Sequence, residues 1–276
     1  MLGLGVLGLS LAVVALAGCE DKPAVQPAET AAAPVATATA AAAATAVALA
    51  EAKPPAEGAL KLSVDKAQSK VEFIMDAPKE KIRGRAENGT QGEVLVDPTD
   101  LTKLSGTIAV DITTLELVQR KAADDGTFNE EKKEDKQNEH ARAWLEISTD
   151  TPEDVRKKNA LVDFTISSIE SASVKDLTKV EGAVRKATIK AKGVFTLHGH
   201  KAEKTVELEA AFHYDGAKLT HAQIKTTQPF AVDLATHDVR PRDGFGKLAK
   251  ATLEMVAPKV AKEALVSVDV TVRPAS

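Results

Sequence analysis

From residue 59 onward the chain alternates apolar and polar residues with period two, and that pattern decides what it can fold into. VEFIM places Val71, Phe73 and Met75 on one face of a strand. LSGTIAVDI places Leu104, Ile108, Val110 and Ile112 on one face, with Ser105, Thr107 and Asp111 opposite. VDFTI contributes Val162, Phe164 and Ile166. ATIKAKGVFTL sets Ile189, Ala191, Phe195 and Leu197 against Lys190, Lys192 and Thr196. TVELEAAFHY sets Val206, Leu208, Ala210, Phe212 and Tyr214 against Glu207, Glu209 and His213. VSVDVTVR ends the series with Val266, Val268, Val270 and Val272 inward. One dry face and one wet face is the signature of antiparallel strands over a single core.

Turn chemistry links these strands. Asn88-Gly89 and Asp215-Gly216 predict hairpins, because glycine accepts the positive φ of tight turns. His198-Gly199-His200 reads as a further turn. Two stretches break the alternation. Residues 128–147 predict a helix, with Thr127 and Glu130 at capping-box spacing and Trp144, Leu145 and Ile147 as its anchor. Residues 244–265 predict a second amphipathic helix, interrupted by Pro258. The expected fold is all-β: about eight antiparallel strands in an up-and-down barrel or a sandwich, with one or two helical insertions. An eight-stranded barrel holds either packed side chains or one small ligand.

The first 58 residues have a different character. Residues 1–18 are apolar and uncharged, of signal-peptide length, and end in Leu16-Ala17-Gly18-Cys19. Cys19 is the only cysteine, so an internal disulfide and a cysteine-based metal site are both excluded. The string resembles the lipobox of bacterial lipoproteins, although no Lys or Arg precedes the apolar run. That resemblance implies cleavage after Gly18, acylation of Cys19 as the lipid anchor, and an extracytoplasmic, membrane-anchored protein on the periplasmic face or outer membrane. Each buried CH₂ of the acyl chains contributes ~0.8 kcal/mol to anchoring. Residues 19–58 are an Ala-, Pro- and Thr-rich tether, and residues 59–276 form the folded domain. A net charge of −4 with no basic face argues against nucleic acid as a partner.

Several strings within 59–276 resemble the YceI-like family of lipocalin-like extracytoplasmic proteins. Asp65, Ser69, Val71 and Phe73 match its opening strand, with Gln68 where the family usually has His. Gly84, Gly92, Val94, Val96, Asp97 and Pro98 match the next stretch, GTIAVDITTL the strand after it, and His140 a helix-like segment. GVFTLHGHKAEKTVELEA resembles its later hairpin. Gln228-Pro229-Phe230-Ala231 departs from the family pattern, and residues 231–262 read as an insertion or a rebuilt lid. The resemblance implies a lipocalin-like barrel with an apolar tunnel for a polyisoprenoid, an isoprenoid quinone or a fatty-acid derivative. On that reading the ligand-lining residues are Val71, Phe73, Met75, Ile108, Val110, Ile112, Val162, Phe164, Ile166, Ile189, Phe195, Leu197, Leu208, Phe212, Val268 and Val270. Alternation shows an apolar interior without showing that it is hollow, so a filled structural or interaction barrel stands as the alternative.

Polar candidates are few. His221 and Gln223 face inward, as possible head-group contacts, if the Asp215-Gly216 loop has two or four residues. A three-residue loop with a bulge turns Thr220, Ala222 and Ile224 inward instead. His198 and His200 share a face in extended chain, and His213 and His221 fall on neighbouring strands. The first pair occupies a turn, and no metal or required cofactor is assigned. Asp238, Arg240, Arg242 and Asp243 cluster around Pro241, and residues 130–136 read as a solvated helix face. The chain holds no nucleophile motif, zinc-helix motif or phosphate loop, which predicts a binding protein and not an enzyme.

Overall fold

The computed structural model describes residues 58–86, 88–240 and 261–274. The signal segment, nearly all of the tether and most of the predicted 244–265 helix lie outside the described residues. Within them the chain forms a closed antiparallel barrel of eight staves, four of which are interrupted. β1 (Leu60–Val64) and β2 (Lys70–Ala77) make the first, β3 (Glu80–Ala86) and β4 (Thr90–Val96) the second, and β5 (Ser105–Asp111) and β6 (Leu115–Lys121) the third. A two-residue strand, β7 (Lys132–Lys133), adds to β6. Helices α1 (Asp135–Trp144) and α2 (Glu153–Asn159) precede the fourth stave, β8 (Leu161–Ala172). β9 (Val184–Leu197) and β10 (His200–Asp215) follow, and β11 (Lys218–Thr226) and β12 (Phe230–Asp233) form the seventh. The eighth, β13 (Glu263–Pro274), pairs with both β1 and β2 and closes the barrel. Glu263, Ala264 and Leu265 are therefore strand, where the sequence pattern predicts a helix.

Asn88-Gly89 is not a hairpin. β3 pairs with β2 and β6, and β4 pairs with β1 and β5, so the pair marks a kink inside one stave. Asn88 takes a φ of 53°, and the Asp111 N–H donates to the Gly89 carbonyl at 2.9 Å. A Cβ on Gly89 would lie 2.5 Å from the Asp111 carbonyl oxygen. Positive φ and close backbone approach select the same residues in a kink as in a turn. The adjoining kink between β1 and β2 is pinned to β13: Ser69 Oγ accepts from the Thr271 N–H at 3.1 Å, and Asp65 accepts from Arg273 Nε at 2.8 Å. Gln68 takes a further bond from Arg273.

A local device recurs five times. In Asp97-Pro98-Thr99, Asp100-Leu101-Thr102, Asp111-Ile112-Thr113, Asp125-Gly126-Thr127 and Asp176-Leu177-Thr178, one aspartate oxygen accepts both the N–H and the hydroxyl of the threonine. Such side-chain turns hold the backbone away from strand or helix. Two of them share the sequence Asp-Leu-Thr-Lys and plug one barrel end: the Leu101 N–H donates to Lys175 and the Leu177 N–H to Pro98, both at 2.8 Å. Leu101 and Leu177 are wholly buried. Below them Leu62, Val96, Phe212 and Val272 pack the plugged end, all of them outside the cavity lining.

The predicted 128–147 helix shrinks to α1, because Thr127 is committed to Asp125 and residues 132–133 pair with β6. Of the predicted anchor, Leu145 and Ile147 pack with Ala141 on Ile112, Leu115 and Leu117, while Trp144 lines the barrel cavity. α1 bridges a gap, since β5 pairs with β8 but β6 does not.

Candidate functional site

The half of the barrel away from the plug is hollow. Its cavity measures about 400 Å³ and is lined almost wholly by apolar side chains. Every lining residue predicted from the sequence stands on its wall except Phe212. Phe212 is fully buried in the packed floor, one step too close to the plug. The sequence pattern did not assign to the wall Ile82, Leu117, Val206, Ile224 and Val266 on the strands, Ala141 and Trp144 on α1, or Leu145 just past its end. The inward direction of Val206 and Val266 was legible from alternation; their depth along the barrel axis was not.

Two glycines keep this space open. Phe73 faces Gly84 across β2 and β3, and a Cβ on Gly84 would come within 2.2 Å of its ring. A Cβ on Gly193 would come within 2.6 Å of the Phe164 ring. Each phenylalanine lies against backbone that carries no side chain, which draws the ring to the wall. With Phe195 and Phe230 in edge contact at 5.9 Å, these rings supply most of the aromatic lining.

Polar groups gather at the unplugged end. Glu80 shares the inward face of β3 with Ile82, and α1 adds Gln137 and His140. Burial pushes the Glu80 carboxyl above its ordinary range, and Glu134 adds to the rise against the pull of Lys121 and His140. A carboxyl so placed accepts or shares a proton more readily than a solvated one.

His221 and Gln223 do not reach the interior. The Asp215–Lys218 turn has two central residues, but Thr220 is an extra residue in β11, between the Tyr214–Leu219 and His213–His221 pairs. The bulge turns Leu219, Ala222 and Ile224 inward, all of them buried. His221 therefore stacks on His213 outside the barrel, with ring centroids 4.1 Å apart, and Gln223 donates to Asp269 at 3.1 Å. Partial burial lowers the His221 pKa, and the neighbouring His213 lowers it further.

The His198-Gly199-His200 turn joins β9 and β10 at the unplugged end. His198 is buried against Glu146, with Nε2 at 2.8 Å from its carboxylate. Asp238 pairs with Arg240 at 2.8 Å, while Pro241, Arg242 and Asp243 lie outside the described residues. No described helix is long and apolar enough to cross a membrane.

Fold and site together define a closed β-barrel, packed in one half and hollow and apolar in the other. No family model matches the chain, and no curated protein matches it in sequence. Among solved structures it is similar to a polyisoprenoid binding domain from Saccharophagus degradans implicated in plant cell wall breakdown, with a TM-score of 0.48 and 12% identity over 78% of this chain and 99% of that one. It is also similar to Burkholderia cenocepacia BcnA, with a TM-score of 0.42 and 16% identity over 75% of this chain and 98% of that one.

Proposed function

We propose that this protein is a non-enzymatic, membrane-anchored extracytoplasmic lipoprotein whose barrel binds the apolar chain of an amphiphile. The observation that carries the reading is the cavity of about 400 Å³, with walls that are almost wholly apolar and a few polar residues, Glu80, Gln137 and His140 among them. Transfer of hydrocarbon from water into such a space gains ~25 cal/mol for each Å² buried. A flexible alkyl or prenyl chain suits walls built from Val, Ile, Leu and Phe, and its head group falls beside Glu80. A half-buried carboxyl there disfavours an anionic head group and favours a neutral one that donates a hydrogen bond. Lipidation at Cys19 and the 19–58 tether would hold the barrel beside the membrane that supplies such chains. The proposal is tested by titrating the protein with a fluorescent prenyl or acyl probe. Uptake should saturate at one probe per chain and be lost in Ile108→Trp, which fills the cavity. Thr107→Trp, on the outer face, should bind as the unaltered protein does. Equal uptake by both variants would refute the reading.

A further inference from the structure

The cavity has a floor at the plugged end. On β4, β10 and β13 its lining ends at Val94, Ala210 and Val270. The next inward residue on each strand, Val96, Phe212 and Val272, is wholly buried outside the lining. Strand pairing sets the floor residues level with one another: Ala210 faces Ile224 on β11, and Ile224 faces Val270 on β13. Leu101 and Leu177, both wholly buried, close the barrel behind them. An apolar chain that enters at the unplugged end is stopped at this level by packed side chains.

We propose that the floor makes the barrel a gauge of chain length, and that its ligand is a single-chain amphiphile with about 12–16 carbons along the chain. The inference rests on the reading of the barrel as an apolar-chain binder and sharpens it. A diacyl lipid and a long polyprenol are excluded. An acyl, alkyl or farnesyl-length chain is retained.

Depth and volume give the length separately. β9 lines the cavity from Leu197 at the unplugged end to Ile189, which faces Leu208 one step above the floor. At ~3.3 Å per residue this run covers ~26 Å of strand, and a strand tilt of ~40° leaves ~20 Å along the barrel axis. Carbon–carbon bonds of ~1.5 Å advance an extended chain by ~1.3 Å each, so this depth takes about 16 carbons. The volume of about 400 Å³ takes about 13 methylenes if each fills ~30 Å³, the share of a water molecule in the liquid. A head group beside Glu80, at the unplugged end, leaves the chain end on the floor.

Selection is one-sided when the chain is drawn from a membrane. A carbon that fits inside the pocket exchanges one apolar surrounding for another, so shorter chains lose little. A carbon that the floor keeps out stays at the mouth, and each methylene left in water weakens binding ~4-fold.

The test offers the full chain, held in phosphatidylcholine vesicles, an equimolar mixture of 1-alkanols from octanol to tetracosanol. Native mass spectrometry weighs the alkanol that each chain retains. One alkanol should be found per chain, with eicosanol retained at least ~10-fold less than tetradecanol. Farnesol should be retained and solanesol should not. Val270→Phe raises the floor and should move the limit to shorter alkanols. Phe212→Ala lowers the floor and should admit longer ones. Thr107→Trp, on the outer face, should leave the limit in place. Urea unfolding identifies the variants that have folded, and the unaltered chain decides the question without them. Equal retention of tetradecanol, eicosanol and solanesol would overturn the gauge and leave the lipid reading standing. A limit unmoved in both floor variants, once folded, would also overturn the gauge. No alkanol on any chain would overturn both readings together.

Discussion

The carboxamide of Asn138 bonds both backbone groups of Leu117: Oδ1 accepts from the Leu117 N–H at 2.8 Å, and Nδ2 donates to its carbonyl at 3.0 Å. One residue of α1 thus replaces the strand that β6 lacks where β8 diverges from it. Arg142 extends the contact by donating to the Leu115 carbonyl at 3.2 Å. Polar backbone at an uncovered edge inside a protein must be paired. Here the pairing also seats Ala141, Trp144 and Leu145 over the cavity.

Asn138→Ala removes both partners of a buried peptide group. Each of the two groups left unpaired costs ~1–3 kcal/mol, so the loss should reach about 2–6 kcal/mol. Urea unfolding reads it as a lower midpoint at unchanged slope. A loss below about 0.5 kcal/mol would show that α1 does not hold the β6 edge.

Gly84 should matter for binding as much as for stability. Gly84→Ala places a methyl group against Phe73, which can yield only toward the cavity or by moving β2. Overpacking of this kind costs about 1–3 kcal/mol. Probe uptake should fall more steeply than stability. Undiminished uptake in the folded variant would mean that the Phe73 ring does not define the space.

Acid sensitivity should have a source in the plug. The Thr99 hydroxyl and Lys103 hold the Asp97 carboxyl down to about 2. A lowered carboxyl stabilises the fold at neutral pH, and its contribution is lost as pH falls from near 4 through about 2. The size is on the order of 2 kcal/mol. Asp97→Asn should therefore be less stable than the parent at pH 7, with the gap narrowing toward pH 2. A gap that stays constant across this range would assign the effect to packing alone.

How much of this could be read from the sequence depends on the range of each interaction. Alternation set the inward faces of β2, β5, β8, β9 and β13 correctly, because side-chain direction in a strand is local. Asn88-Gly89 signalled positive φ, but whether that makes a hairpin or a kink depends on the partners β1, β2, β5 and β6. The Thr220 bulge moved His221 and Gln223 to the outer wall, since one extra residue reverses a whole strand end. Asn138 opposite Leu117, and Asp238 beside the His198–His200 turn, are meetings of segments far apart in the chain. The repeated Asp-Leu-Thr-Lys was present in the sequence, yet its use as a plug appears only when the two copies bond one another.

Cys19→Ala tests the anchor. The variant should leave the membrane fraction and lose acyl labelling, with the barrel still folded. Membrane retention with label intact would contradict lipidation at Cys19.

The central claim is that the hollow half of the barrel holds an apolar chain. Its most direct test is organic extraction of the full-length protein, purified from its own membrane, followed by mass spectrometry of the extract. The account predicts one alkyl or prenyl amphiphile per chain, present in the unaltered protein and absent from Ile108→Trp. A clean extract from folded, unaltered protein, or equal lipid in both, would contradict it.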